Sequence, residues 1–173
     1  MISRFPRLIG FAAAAAVFVA DQATKWLMFG PLHLRDVGQI FLLPIFNFTF
    51  TENTGVSLGL LGAGTDTQRW LLVALTGAIA VTVLVWLLRE RHAADTAALG
   101  LVLGGALGNI RDRVTLGYVV DWADLHFGGW RPFLIFNLAD AAITIGVVII
   151  LARSFYLREK RAKIIPVDSG PRN

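Results

Sequence analysis

Four long apolar stretches dominate this sequence and restrict what it can fold into. They cover approximately residues 8–29, 70–88, 93–111 and 133–156. A helix needs about 20 apolar residues to cross the roughly 30 Å of hydrocarbon in a bilayer. Hydrophobic residues make up 55% of the 173-residue chain and charged residues 16%, which is unlike the composition of a soluble domain. The sequence therefore predicts an all-α membrane protein with four transmembrane helices.

Basic residues flank these stretches and predict their orientation. Arg4 and Arg7 precede the first stretch, Arg89 and Arg91 separate the second from the third, and a basic tail follows the fourth. With four spans, all of these residues lie on one side of the membrane. The positive-inside rule places that side, with both termini, in the cytoplasm. The net charge of +4 is thus explained by topology, and we expect no binding to nucleic acid.

The residue types exclude several kinds of site. The sequence has no cysteine, which excludes disulfides, thiolate metal sites and a cysteine nucleophile. His33, His92 and His126 lack the spacing of a metal-binding pair. We therefore expect no metal and no cofactor.

The segment between the first two spans has the pattern of extended chain. Apolar and polar residues alternate over 45–51, as in a strand, and glycines at positions 55, 59, 62 and 64 supply turns. We expect a small β-cradle over about residues 31–66 on the outer membrane surface, with a loop or short helix beside it. The polar tail over 166–173 is expected to be disordered. Residues 1–173 are predicted to form one membrane-embedded domain.

Polar residues within the predicted spans are candidates for function, because burying a charge in the bilayer is costly. Asp21 and Lys25 are four residues apart and share a helix face, with the acid first. One interpretation is a structural ion pair in which Lys25 extends towards the membrane surface. The other is that the pair orients further polar groups.

Two more clusters of polar residues and glycines have both a structural and a functional interpretation. Gly105, Asn109 and Arg113 recur every four residues and line one helix face, where they could pack against a neighbour or bind a carboxylate. Asn53 and Gly55 close the extended segment. They are typical of an ordinary turn, but also of a place where a substrate chain approaches closely.

Two aspartates form the candidate catalytic pair. Asp140 follows Asn137 by three residues, which resembles a capping box, yet the helix after it is almost entirely apolar. If Asp121 lies beside Asp140, the two carboxyl groups would share a proton. Aspartic peptidases use such a pair to activate water and protonate the scissile carbonyl. Asp124 is an alternative to Asp121, since it lies only three positions away.

Five motifs occur in a specific order. They are Asp21-x-x-x-Lys25, Asn53-Thr54-Gly55, Gly104-Gly105-Ala106-x-Gly108-Asn109-x-x-Asp112-Arg113, Val119-Val120-Asp121-Trp122 and Phe136-Asn137-x-Ala139-Asp140-x-x-Ile143. Each motif alone is modest, but their order and spacing resemble the prolipoprotein signal peptidases, also called signal peptidase II. The resemblance extends from residue 21 to about residue 146.

The resemblance implies a multi-pass enzyme of the bacterial inner membrane whose site faces the periplasm. The family removes signal peptides from diacylglyceryl-modified prolipoproteins, cutting before the lipidated cysteine, and is blocked by globomycin. Its catalytic pair corresponds to Asp121 and Asp140. We expect prolipoproteins and membrane lipids as partners, and a monomer. The supporting and substrate-binding residues that the resemblance implies are Asp21, Lys25, Asn53, Gly55, Gly105, Asn109, Arg113, Asn137 and Ala139.

The chain departs from the usual family pattern at two positions. Pro132 lies four residues before Phe136, where a proline two residues before is common, and Trp122 stands where phenylalanine is more usual.

Two other functions also fit intramembrane carboxylates. A transporter or proton channel predicts charges near mid-helix, whereas these aspartates lie at outer ends. A structural subunit leaves the five motifs unexplained.

Overall fold

The computed structural model describes residues 5–55 and 66–164, with side chains described up to residue 157. Its helices are α1 (Pro6–Phe29), α2 (Leu34–Val37), α3 (Asp66–Arg89), α4 (Ala93–Thr115) and α5 (Leu138–Ile164). Its strands are β1 (Gln39–Leu43), β2 (Phe46–Asn53) and β3 (Val119–Leu125). The predicted disorder of residues 166–173 and the turns at glycines 59, 62 and 64 lie outside the described residues.

Four of the described helices, α1, α3, α4 and the first 20 residues of α5, are long and apolar enough to cross a membrane. The prediction of an all-α membrane protein with four spanning helices is confirmed. Helix α3 is the most apolar, with a mean hydropathy of 2.6 against 1.3 for α1 and for α4. The difference arises because α1 and α4 carry buried charged residues within their length, such as Asp21, Lys25 and Asp112, whereas the charged residues of α3 lie at its ends.

Helix α4 is the centre of the bundle, and α1, α3 and α5 all pack on it. Glycines bring its backbone into direct contact with its neighbours. A Cβ atom at Gly105 would lie 2.5 Å from the backbone oxygen of Ala139 in α5, and one at Gly146 of α5 would lie 2.6 Å from the oxygen of Ala98 in α4. The third span therefore packs closely, as its glycine content predicts.

The fourth span begins later than the sequence predicted. Residues 133–137 were expected to be helical, but α5 starts at Leu138. Phe136 instead exchanges backbone hydrogen bonds with Ala123 of β3, at 3.1 and 2.8 Å. The run 133–136 is apolar enough for either structure, and pairing with the strand determines which one forms. Helix α4, in contrast, continues to Thr115, four residues beyond its predicted end.

The three strands form one antiparallel sheet in the order β1–β2–β3. The first two lie in the predicted β-cradle and pair as a hairpin, with Phe41 opposite Asn47. Strand β3 was not predicted; it follows α4 after a turn at Gly117, whose φ of 92° favours glycine. It pairs with β2 so that Asp121 lies opposite Thr51. The sheet thus covers one end of the bundle, called the sheet end below.

Candidate active site

Asp121 and Asp140 belong to one hydrogen-bonded site, although they lie on different elements. Asp121 is on β3 and Asp140 is in the first turn of α5. The Nδ2 of Asn137 donates to Asp121 Oδ1 at 2.7 Å and to Asn109 Oδ1 at 3.2 Å. The Nδ2 of Asn109 in turn donates to Asp140 Oδ1 at 2.8 Å. Two asparagines therefore link the two carboxyl groups.

Asp140 also caps its own helix. Its backbone N–H donates to Asn137 Oδ1 at 2.9 Å, and its Oδ2 accepts the backbone N–H of Asn137 at 3.3 Å. This is the reciprocal geometry of a capping box. The capping interpretation of Asp140 is therefore confirmed, and the other carboxyl oxygen bonds to Asn109.

The surroundings of Asp121 raise the pKa of its carboxyl group. The residue is only 1% exposed, and its Oδ2 accepts a hydrogen bond of 2.9 Å from Asn53. Burial raises the pKa of Asp121 to about 6, the nearby Asp140 raises it as well, and the donors on Asn53 and Asn137 lower it. A carboxyl group with this pKa changes between its protonated and ionised forms close to neutral pH.

Asn53 forms the turn that the sequence predicts and also bonds to Asp121. Its Oδ1 accepts the backbone N–H of Gly55 at 2.8 Å, which closes the turn after β2. Its Nδ2 points the other way, to Asp121. Gly55 adopts a φ of 80°, a conformation that other residues rarely take. The turn therefore orients the side chain that bonds to Asp121.

The two aspartates lie between two depressions of different character. A cleft of about 680 Å³ beside Asp121 is lined by Thr51–Thr54 of the β2 end and by residues 131–135. A smaller groove of about 300 Å³ beside Asp140 runs along α5 and is lined mainly by apolar groups, among them Phe133, Phe136 and Ile145. The pair is thus accessible from a partly polar side and from an apolar side.

A buried ion cluster lies next to the pair. The Nζ of Lys25 is 2.8 Å from Asp21 Oδ2 and 2.7 Å from Asp112 Oδ2. Lys25 is 3% exposed, so the expectation that it extends to the surface is wrong; carboxylates from two helices hold its ammonium group inside. Asp21 Oδ1 accepts the backbone N–H of Ala139 at 3.1 Å. The cluster thereby orients the first turn of α5.

Asp112 is a member of this cluster that the predicted site residues omitted. Besides pairing with Lys25, it accepts the backbone N–H of Val120 at 3.3 Å, which ties β3 to α4. The sequence did contain a signal, because Asp112 follows Asn109 by three residues and so lies on the same side of the helix.

Arg113 does not pair with a carboxylate, contrary to one of the sequence interpretations. Among the described residues no carboxylate lies within 4 Å of it, and its buried Nε has no hydrogen-bond partner. One guanidinium nitrogen makes a long hydrogen bond of 3.5 Å to the backbone oxygen of Asn109. Asp140 and Asp121 are within electrostatic range of its charge. Arg113 therefore has free donors near the pair.

Asp124, the alternative to Asp121, is engaged elsewhere. It accepts hydrogen bonds from Arg131 at 2.9 and 3.2 Å and from Thr49 at 3.1 Å. The Arg131 guanidinium lowers the pKa of Asp124. Because side chains alternate along a strand, residues three apart face opposite sides. The structure therefore brings Asp121, rather than Asp124, to Asp140.

The two departures from the family pattern lie beside the site. Pro132 lines the cleft next to Asp121. Trp122 packs its ring edge-on against Phe48, with ring centroids 5.3 Å apart. The larger ring thus fills space on the sheet rather than in the hydrogen-bond network.

Comparison with known proteins gives consistent results. A family described as signal peptidase (SPase) II matches residues 13–156. The lipoprotein signal peptidase of Rhizorhabdus wittichii is 51% identical over 163 residues, which cover 94% of this chain and 95% of the relative. That of Sphingopyxis alaskensis is 54% identical over 159 residues, which cover 91% and 92%.

Two solved structures are also similar to this chain. Both are described as bacterial membrane enzymes whose structures come from the in meso method. The one at 2.3 Å resolution has a TM-score of 0.69 and 26% identity, covering 95% of this chain and 94% of that one. The one at 1.9 Å has a TM-score of 0.72 and 29% identity, covering 83% and 90%.

Proposed function

The chain belongs to the signal peptidase II family of peptidases, which process prolipoproteins, and from this we propose that Asp121 and Asp140 are its catalytic pair. The enzyme would be an aspartic endopeptidase that cuts diacylglyceryl-modified prolipoproteins on the N-terminal side of the lipidated cysteine. The observation that carries the proposal is the chain of amide hydrogen bonds joining two carboxyl groups beside an open cleft.

The proposed mechanism divides two tasks between the two carboxyl groups. Asp121, whose pKa is raised to about 6, would hold the shared proton and donate it to the scissile carbonyl oxygen. Asp140 would take a proton from the attacking water. The resulting tetrahedral diol would collapse when Asp140 passes the proton it took from water to the leaving amine, while one diol hydroxyl returns its proton to Asp121 and the C–N bond breaks. The ionisations belong to the pair jointly, because each charge affects the other.

The surroundings of the pair suit a substrate that is partly in the membrane. The apolar groove along α5 would hold hydrocarbon of the substrate beside Asp140. The cleft lined by Thr51–Thr54 would take the polypeptide beyond the cleavage point. Arg113 and Asn109 would bind substrate carbonyl groups, since Arg113 has donors that no described carboxylate occupies. Globomycin would bind in the same place as the substrate, in the cleft and the groove beside the two aspartates.

The proposed location is the bacterial inner membrane, with both termini in the cytoplasm and the sheet end facing the periplasm. Arg89 and Arg91 lie at the end of the bundle opposite to the sheet, which supports this orientation. We also propose that the enzyme acts as a monomer.

A gel-shift assay on a diacylated prolipoprotein in detergent tests the catalytic assignment. We expect Asp121→Asn and Asp140→Asn each to abolish cleavage while the protein remains folded. Asp124→Asn is the matched control on the same strand and should retain cleavage, because Asp124 bonds to Arg131 and Thr49 instead. Cleavage near the unmodified rate in either of the first two variants would refute the assignment. Loss of cleavage in Asp124→Asn would assign the catalytic role on β3 to Asp124 instead of Asp121.

A further inference from the structure

A second apolar groove lies away from the two aspartates. It has a volume of about 620 Å³ and is formed by α1 and α3, with α4 as its floor. Its lining is apolar throughout and includes Phe11, Phe18, Gly77, Ala80 and Leu107. Small residues on α1 and α3 make it concave, and phenylalanines on α1 form one wall.

The groove continues towards the sheet end of α4, where an arginine lines it. A second depression of about 390 Å³ shares Phe18, Leu107 and Ile110 with the groove and reaches Arg111. Leu107 and Arg111 each lie two positions from Asn109. At 3.6 residues per turn, two positions rotate a side chain to roughly the opposite side of a helix. The groove therefore faces away from the catalytic pair.

Arg111 makes no direct ion pair with a carboxylate of the described residues. Its side chain is exposed, and it donates a hydrogen bond to the side-chain oxygen of Gln22. Among the described residues, no carboxylate lies within 4 Å of it, whereas Arg131 and Arg153 each pair closely with an aspartate. Arg111 is thus linked to Asp21 and Asp112 only through Gln22, whose Nε2 donates to both carboxylates. A guanidinium without a direct carboxylate partner among the described residues lies beside an apolar groove, near the end of a spanning helix.

We propose that this groove binds a phospholipid with an acidic headgroup, with one acyl chain along the apolar floor and the phosphate at Arg111. The planar guanidinium matches the geometry of a phosphate. A second transmembrane helix could also cover an apolar groove, but it would leave the charge of Arg111 without a partner. The site is separate from the proposed peptidase site and does not depend on it.

Native mass spectrometry of the full chain in detergent tests the proposal. Dioleoylphosphatidylglycerol is titrated against dioleoylphosphatidylcholine, and retained lipid is counted. We expect one phosphatidylglycerol molecule to be retained in preference to phosphatidylcholine. Arg111→Gln should weaken this binding about fivefold, which is roughly 1 kcal/mol. Arg91→Gln removes the same charge at the other end of the bundle and should leave binding unchanged.

A second pair of variants tests the acyl-chain part of the groove. A Cβ at Gly77 has no atom within 4 Å, so the ring in Gly77→Phe can enter the groove without disturbing the backbone. We expect this variant to lose the retained lipid, whereas Ala78→Phe, on the exposed side of α3, should keep it. The proposal is overturned if phosphatidylcholine binds equally well, if Arg111→Gln and Arg91→Gln behave alike, or if the groove variant changes only the amount of dimer.

Discussion

At the scale of single residues, the protonation of Asp121 depends on opposing effects. Burial and the neighbouring Asp140 favour the protonated carboxyl group, while amide donors from Asn53 and Asn137 favour the carboxylate. The result is a pKa of about 6 rather than the value of a fully buried acid. Removing one donor should therefore shift the balance in a known direction.

Asn53→Ala tests this balance. Without the 2.9 Å hydrogen bond, the ionised form of Asp121 loses stabilisation and its pKa rises further above 6. If the pair must keep one proton to work, the decline in cleavage rate at high pH should move upwards by about one pH unit. Thr49→Val, which loses a comparable bond to Asp124, should not move it. A decline at unchanged pH in Asn53→Ala would contradict the role given to this bond.

A second prediction at this scale concerns Lys25. Removing its ammonium group in Lys25→Met leaves Asp21 and Asp112 buried beside each other without a cation. Breaking such a buried pair costs about 3–5 kcal/mol, so we expect a marked fall in the thermal unfolding temperature in detergent. Arg35→Met breaks only the exposed ion pair with Glu52 and should change it little. Equal effects of the two changes would show that the buried cluster contributes no special stability.

At the scale of elements, glycine contacts determine how closely α5 approaches α4. In Gly105→Ala, the new methyl group would lie 2.5 Å from the Ala139 backbone oxygen, so α5 must move and carry Asp140 with it. We expect lower thermal stability and a cleavage rate reduced on the order of tenfold or more. Gly77→Ala, with open space around its Cβ, should instead be neutral or stabilising by up to about 1 kcal/mol. Comparable activity of the two variants would refute this role for Gly105.

The sequence could predict some helices and strands of the fold but not others. Apolar length alone predicts the four spans, and a spacing of four predicts that Asp21 contacts Lys25, because both signals are local. The start of α5 could not be predicted, because residues 133–136 suit a strand as well as a helix. Strand β3 and the contact of Lys25 with Asp112 depend on segments far apart in the chain. Local spacing contains no information about such pairings.

At the scale of the whole molecule, orientation in the membrane is the property that connects the fold to the proposed activity. The sequence contains no cysteine, so each introduced thiol can be labelled without background. With a membrane-impermeant maleimide on cells with a permeable outer membrane, Phe41→Cys on the sheet should be labelled. Arg91→Cys, between α3 and α4, should be labelled only after lysis. The reverse pattern would place the sheet in the cytoplasm and contradict the proposed orientation.

The two halves of the pair are anchored in different ways. Asp140 is carried by helices whose backbones touch, whereas Asp121 is carried by a strand that reaches those helices through a few hydrogen bonds, to the backbone of Phe136, the carboxylate of Asp112 and the amide of Asn137. A movement of the sheet that breaks these hydrogen bonds would separate the two carboxyl groups. An inhibitor that only wedges the sheet away from the helices would stop the reaction without touching either aspartate.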